Sequence, residues 1–345
     1  MDNESKKITI NDVARLAEVS IKTVSRVINN EPNVRASTVK KVLAAVDSLN
    51  YQPSSFARSL AGTMTFNIAL VYSNATPSYI YEVQSGALEA CKKWGYELII
   101  HPCDHTRPDL PTEFVSMYDT RKVDGILLTP PMCDSLELTQ ALENQGLQFA
   151  RLQPGDPTAS NSPFTGIDER AAARELVRHL IDFGHENIAI INGDPAHGAA
   201  FLRMQGYIDA MDEAGLPRPD EYVQQGMFDF ESGRKCSETL LTLDKPPTAI
   251  FACNDAMAAG TMQYALKKGL KLPQDLSIVG FDDSPTAERL WPALTTVRLP
   301  AQELAKHCTD SLIAGIRKQK PEKLMGSCSY EIILRDSVAQ NAQHV

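Results

Sequence analysis

Two spacings of apolar residues divide this chain. In the first 50 residues they recur at helical intervals: Val13, Leu16 and Ala17, then Val24, Val27 and Ile28, then Val39, Val42, Leu43, Val46 and Leu49. This predicts three helices, the third over 37–49, with Pro53 preventing its continuation. Thr9 and Asp12 have capping-box spacing, which satisfies orphan N–H groups at a helix start, and Ser20 can cap the second helix. Only Glu18, Val19 and Ser20 separate the first two helices. From Asn67 onward, short apolar runs alternate with amphipathic stretches. Strands are expected at 68–72, 97–101, 125–128 and 148–152, and a second series at 164–167, 188–192, 222–225, 249–253 and 277–281. Helices are expected between them, for example at 82–94, 171–183, 202–213, 232–243, 256–267 and 301–317. Such alternation means parallel sheets covered on both faces, and two series mean two lobes with a cleft between them.

Charge gives the short helices a direction. The second presents Lys22, Thr23, Ser25, Arg26 and Asn29 opposite its apolar side, and a helix pair of this kind is the helix-turn-helix arrangement. Residues 1–62 hold nine Lys and Arg against six Asp and Glu, a net of +3, in a chain of net charge −9, which leaves −12 for the remainder. A basic tip on an acidic protein puts its positive field where a helix can meet phosphate. A length of 345 residues suits two or more domains, and 43% hydrophobic residues suffice for their cores. No run of 18 apolar residues indicates a membrane span, and the first ten residues lack the apolar core of a secretory signal. Seven scattered cysteines without Cys-x-x-Cys fit a reducing, cytoplasmic setting.

The head string Val19-Ser-Ile-Lys-Thr-Val-Ser-Arg-Val-Ile-Asn29, with Val34, Thr38, Val42 and Leu49-Asn50-Tyr51-Gln52-Pro53, resembles the lactose-repressor/galactose-repressor family of bacterial transcription regulators. So does Ala57-Arg58-Ser59-Leu60-Ala61-Gly62, and the likeness continues to about Arg335. It takes in Arg203-Met-Gln-Gly-Tyr207, Ala249-Ile-Phe-Ala-Cys-Asn-Asp255, Ser277-Ile-Val-Gly-Phe-Asp-Asp283 and Pro292-Ala-Leu-Thr-Thr-Val297. The resemblance implies an all-α helix-turn-helix headpiece (1–53), a hinge helix (54–62) and an α/β effector-binding and dimerisation body (63–345). The body would hold two doubly wound parallel-sheet lobes like those of periplasmic binding proteins. Chain crossings near 164, 293 and 327 would give lobe 1 residues 63–163 and 294–326, and lobe 2 residues 164–293 and 327–340.

It also implies site residues. Ile21 and Lys22 occupy the sequence-selecting positions: lysine donates to guanine O6/N7, and isoleucine can touch a thymine methyl. Arg26 would reach a base edge or phosphate. Thr9, Thr23, Ser25 and Asn29 are phosphate candidates, with pure capping the competing role for Thr9 and Ser20. Leu60 would be a minor-groove wedge and Ala57 would let two hinges approach closely, unless 54–61 is a plain linker. For an effector, Arg203 can fork two hydrogen bonds, Asp282 can accept two hydroxyls, Asn254 follows a strand end and Phe228 offers a stacking face. Their competing roles are a surface ion pair, helix caps and core packing. Ser73, Tyr79 and Thr129 are first-lobe candidates. The turn-rich 153–163 loop either shapes the cleft or merely connects lobes.

No Gly-x-Ser-x-Gly elbow, phosphate loop, Gly-x-Gly-x-x-Gly or His-Glu-x-x-His string occurs. No catalytic residue, metal or cofactor is therefore expected, and His101-Pro-Cys-Asp-His105 reads as a strand end running into a loop. The expected protein is a ligand-controlled regulator, in all expectation a repressor, binding palindromic double-stranded operator DNA as a homodimer. Its effector would be a sugar or sugar derivative, or else a nucleobase or nucleoside. A solute receptor or a sugar-processing enzyme with a regulatory head are the rival readings.

Overall fold

In the head, three short helices form because each buries one stripe against the other two. The computed structural model describes residues 8–28, 34–49, 51, 64–73, 76–120, 122–319 and 326–341. Their contacts divide the chain into residues 1–66 and 67–345. The head contains α1 (Ile10–Leu16), α2 (Ile21–Ile28) and α3 (Ala36–Ser48). Val13, Ala14, Ala17, Val24, Val27, Val42 and Ala45 make its core. Two expected core residues are not in it: Leu16 is 53% and Leu43 48% exposed. Small residues at 14, 17 and 45 bring the helices close enough to fill the core without them. The expected hinge helix, 54–62, lies outside the described residues, as do Asn29, Ala57 and Leu60.

The first sheet of the body has strand order β11-β5-β4-β3-β1-β2, all parallel. Its strands are β1 (Asn67–Tyr72), β2 (Glu97–Pro102), β3 (Gly125–Leu128), β4 (Phe149–Leu152), β5 (Phe164–Ile167) and β11 (Gly326–Cys328). The helices α4 (Pro77–Trp94), α5 (Leu110–Asp119), α6 (Leu136–Asn144) and α12 (Ala301–Ile316) belong to this lobe. The second sheet has order β7-β6-β8-β9, also parallel: β6 (Ile188–Asn192), β7 (Val223–Gln225), β8 (Ala249–Ala252) and β9 (Ser277–Val279). Helices α7 (Glu169–Asp182), α8 (Gly198–Glu213), α9 (Phe230–Leu240), α10 (Asp255–Lys267) and the short α11 (Pro285–Arg289) complete that lobe. The central strands are apolar along their buried stretches, as burial on both faces requires: Ile68–Val71 and Ile188–Ile191 are fully buried.

The lobe boundaries differ from the expected ones. Residues 164–167 are β5 and stay in the first sheet, paired with Arg151 and Leu152 of β4, so the first crossing falls at Asp168. β10 (Thr296–Arg298) runs beside the end of the second sheet through bridges Val279–Thr295 and Asp282–Arg298, which moves the second crossing from 293 to beyond Arg298. β11 still belongs to the first sheet, so the return lies after Cys328, before β12 (Glu331–Ile333) pairs antiparallel with β10. A four-residue buried strand reads the same in either sheet; its partners, not its own composition, assign it. The chain then laces into the second lobe: the Ser337 hydroxyl donates to the Ile278 carbonyl at 2.6 Å and accepts the Thr295 N–H at 2.8 Å.

Glycine sets the spacing of the helix pairs that cover the second sheet. A Cβ on Gly260 of α10 would collide with the Phe230 carbonyl oxygen of α9, and one on Gly206 of α8 with the Arg170 carbonyl of α7. Both contacts are with backbone, which cannot swing aside. Gly260→Ala is therefore expected to lose about 1–3 kcal/mol of stability through overpacking, read by urea unfolding of the whole chain. A midpoint equal to wild type would show that the pair can separate at no cost.

Candidate functional site

On the head, α2 is capped by Ser20, whose Oγ accepts the Thr23 N–H at 3.1 Å and lies 2.9 Å from the Thr23 hydroxyl. Thr9 donates its N–H and its hydroxyl to the Asp12 carboxylate at 2.9 and 2.8 Å. Capping thus accounts for Thr9, Ser20 and Thr23 without removing them from the surface. With Val24 and Val27 turned into the core, Ile21 (49% exposed), Lys22 and Arg26 stand on the outer face, and Ser25 is half-buried. The turn before α2 carries Glu18 at φ +54°, a left-handed residue that reverses the chain within three positions.

In the body, the strands of both sheets end at one cleft, where ligands of open α/β sheets bind. Pro130 follows β3, Gln153 follows β4, Asp194 follows β6, Met227 and Phe228 follow β7, and Asp282 follows β9; all line the cleft. Tyr79 from α4, His197 and Arg203 from the start of α8, and Leu299 complete most of the wall. Three of these, Gln153 (φ +53°), Phe228 (+59°) and Asp282 (+110°), are non-glycine residues in strained backbone conformations. Strain of this kind persists where neighbours over-determine it, commonly at functional sites.

Arg203 is the centre of the site. Its side chain is 5% exposed, and its Nε donates to Glu169 Oε2 at 2.8 Å. Its Nη1 donates to the Cys253 carbonyl and lies 3.8 Å from Asp282 Oδ1. The guanidinium lies 3.6 Å over the Phe281 ring and 5.9 Å from the Phe228 ring. Burial works against its charge, but the Glu169 and Asp282 carboxylates more than offset this and hold its pKa above the ordinary value. Glu169 Oε1 accepts from Gln153 Nε2 at 3.2 Å, and Gln153 Oε1 accepts the Tyr79 hydroxyl at 2.9 Å. A polar relay thus runs from the first lobe, through Tyr79 and Gln153, to Glu169, Arg203 and Asp282 of the second. Burial pushes Asp282 well above the usual carboxylate range; Arg203 opposes the shift, while Asp255, Glu169 and Glu82 add to it. Burial lowers His197 to about 4, so its imidazole is neutral at pH 7.

A second inter-lobe connection flanks the cleft. The Asp134 carboxylate accepts the N–H of Gly155, in the first lobe's 153–163 loop, at 2.7 Å and the N–H of Gly198, the first residue of α8, at 2.9 Å. A Cβ on either glycine would strike the other's backbone. The loop is held by buried Arg151, which donates to the Ser162 hydroxyl and to the carbonyls of Asp156, Pro157 and Ser160 at 2.7–3.1 Å. The loop therefore shapes the cleft rather than merely connecting lobes.

Of the expected effector residues, Tyr79, Arg203, Phe228 and Asp282 line the cleft. Asn254, Ser73 and Thr129 are not among its lining residues. Asn254 caps α10, accepting the Met257 N–H at 2.9 Å, and donates to the Phe228 carbonyl at 2.9 Å, so it fixes the strained Phe228 backbone. Ser73 accepts the His105 N–H at 3.2 Å, and Thr129 donates to the Val71 carbonyl at 3.0 Å. Gln153, Glu169, Asp194 and His197 were not foreseen; the strand-end positions of Gln153 and Asp194 were the available signal. His101 is paired with Glu113 at 2.9 Å, and among the described residues no three His, Cys, Asp or Glu side chains converge as a metal site. Among the described residues no helix is long and apolar enough to cross a membrane.

Comparison with known proteins places this geometry. Residues 9–54 match the model of bacterial regulatory proteins of the lacI family, and residues 177–338 that of the periplasmic binding protein-like domain. The HTH-type transcriptional repressor PurR of Vibrio campbellii (strain ATCC BAA-1116) is 34% identical over 332 residues, covering 96% of this chain and 98% of that protein. The chain belongs to the lacI family. PurR of Pasteurella multocida (strain Pm70) is 33% identical over 335 residues, with 96% and 98% covered. Among solved structures, the lac repressor dimer bound to operator and the anti-inducer ONPF is similar with a TM-score of 0.75 at 25% identity, covering 97% of this chain and 100% of that one. The transcriptional regulator CelR in complex with cellobiose gives 0.73 at 26%, covering 96% and 99%. This lacI-family member is a DNA-binding transcriptional repressor and not an enzyme.

Behind the cleft, the repressor buries Asp255 at the start of α10, where it accepts the Thr296 hydroxyl at 2.7 Å and the Ser284 N–H at 2.6 Å. Burial, reinforced by Asp283, nevertheless pushes this carboxyl up to about 6. An acid raised from its unfolded value of about 3.9 adds stability below that pH and loses the contribution as pH rises through its folded value. The wild type should therefore lose stability from this group between about pH 4 and 6. Asp255→Asn can keep both hydrogen bonds, with its amide donating to Thr296, and should flatten that part of the curve. Urea midpoints measured across this range check it; parallel curves for the two proteins would contradict the assignment.

Proposed function

We propose that the repressor binds a palindromic operator as a homodimer, in the cytoplasm, and that a small uncharged polyhydroxylated effector, a sugar or sugar derivative, controls it by closing the cleft. The observation that carries this reading is the convergence of Arg203 of α8 with Asp282 and Phe228 at strand ends of the same lobe, facing Tyr79 and Gln153 of the other. Asp282, with 20% of its side chain exposed, offers acceptors for hydroxyls, while Phe228, Met227 and Leu299 offer an apolar face. Because the wall comes from both lobes, a ligand held there binds the closed form better than the open one, which is what coupling to a distant site requires. Exposed Tyr81 and Leu88 on α4 and Ile100 on the edge strand β2 support pairing of two copies through the first lobe. In the head, Ile21 and Lys22 read base edges, Thr9, Ser20, Thr23, Ser25, Arg26 and Asn29 fix the phosphates, and Ala57 and Leu60 act at the operator centre.

Two measurements test these assignments. Lys22→Ala should weaken binding to an operator selected from random duplexes by about 1–3 kcal/mol, and weaken binding to unrelated duplex much less; equal losses at fixed salt would reduce Lys22 to a phosphate contact. For the effector, the geometry changes the choice of variant. Removing Arg203 would strand the buried Glu169 charge, a cost of about 3–5 kcal/mol, so Asp282→Ala is the cleaner probe. A thermal-shift screen of neutral sugars, nucleobases and nucleosides on the full chain supplies the compound. Asp282→Ala should then bind operator as the wild type does, while its effector affinity falls by roughly one to two decades. An unchanged response would put the ligand elsewhere, and a hit confined to nucleobases or nucleosides would replace the sugar reading.

A further inference from the structure

Arg203 is the only lysine or arginine among the described residues lining the cleft. Its charge is already matched by a carboxylate. Its Nε is taken by Glu169 at 2.8 Å with both side chains 5% exposed, its Nη1 by the Cys253 carbonyl, and its flat face lies on Phe281. Three carboxylates stand at or beside the cleft. Glu169 is satisfied on both oxygens, by Gln153 and Arg203. Asp282 lies 3.8 Å from Arg203, and Asp194, 8% exposed, accepts the Ala196 N–H at 2.9 Å on the cleft wall. With His197 neutral, the cleft carries more negative than positive charge even when Asp282 holds a proton.

We infer that Glu169 is the residue that sets the charge class of the effector: by compensating the charge of Arg203 it makes the cleft select an uncharged ligand and reject phosphorylated or carboxylated ones. This rests on the cleft's being the effector site. Like charges brought together in a desolvated pocket repel strongly, so a phosphorylated compound should bind on the order of 100-fold more weakly than its neutral parent. Glu169 does this without touching the ligand. Its placement at the first position of α7, two residues after the first-lobe strand β5, holds it at the crossing between lobes, where it answers both to Gln153 and to Arg203.

Inorganic phosphate is the probe, titrated calorimetrically into the full-length protein at fixed ionic strength, with folding followed by circular dichroism. Wild type should show no saturable uptake that depends on Arg203. Glu169→Gln, which keeps an acceptor for Arg203 but removes the charge, should gain saturable phosphate binding at least about tenfold tighter than the weakest binding the wild-type titration would detect, and the double variant E169Q/R203M should lose it. A second arm needs no variant to fold: glucose 6-phosphate and adenosine 5′-monophosphate against glucose and adenosine on the wild type, where neither phosphorylated compound should outbind its parent. Arg203-dependent phosphate binding in the wild type, tighter binding of a phosphorylated compound, or a folded E169Q that gains nothing would each overturn the assignment. Failure of the effector reading is seen separately, as operator affinity that no small molecule changes, and leaves the phosphate titrations intact.

Discussion

The Arg203–Glu169 ion pair is the constraint on which the rest of the second lobe is arranged. Two opposite charges, each with a side chain 5% exposed, are tolerated only when each is matched; stranding either one costs several kcal/mol. Matching them ties the starts of α7 and α8 together, draws in the end of β8 through the Cys253 carbonyl and packs the guanidinium against Phe281. The same pair reaches the first lobe through Gln153 and Tyr79. A lobe held together by this pair also has the charge of its cleft fixed by it, so on the proposed reading the fold and the selectivity of the site would share one interaction.

Backbone strain is concentrated at the same place. Gln153, Phe228 and Asp282 all have positive φ and all line the cleft. Each is held by specific partners: Gln153 by Tyr79 and Glu169, Phe228 by the Asn254 amide, and Asp282 by its N–H to the Val297 carbonyl at 2.9 Å. Asn254 therefore matters to the site without lining it. Its side chain keeps in place a ring whose own backbone would relax elsewhere, so a helix cap shapes the wall of the cleft.

The alternation of strands and helices was legible in the chain because buried parallel strands are short apolar runs and their covering helices are amphipathic; β3, β5 and β6 fall where the pattern put them. Arg203 and Asp282 were legible because they stand in recognisable strings. What was not legible depended on partners distant in sequence. Residues 164–167 could join either sheet until the pairing with β4 chose one. Leu16 has a core residue's position on α1 and is exposed because alanines fill the core beside it. Ser73 and Thr129 sit at strand ends like true cleft residues, yet their hydroxyls are turned to His105 and Val71. Glu169 reads as an ordinary acidic residue in a first helical turn, since nothing local says that an arginine 34 positions away will face it.

The two inter-lobe connections differ in what they respond to. Asp134 holds Gly155 and Gly198 through backbone N–H groups, so it depends on the approach of two main chains and not on what fills the cleft. The Tyr79–Gln153–Glu169–Arg203 relay ends at Asp282, which a ligand can touch, so its geometry follows occupancy. A ligand shifts the balance between open and closed forms only by its differential affinity for them. On the proposed reading of the cleft, the clasp would set how favourable closure is without ligand, and the relay with Asp282 and Phe228 what the ligand adds. An alteration confined to the clasp would thus change the effector concentration needed for response, whereas one in the relay would change which molecules count as effectors.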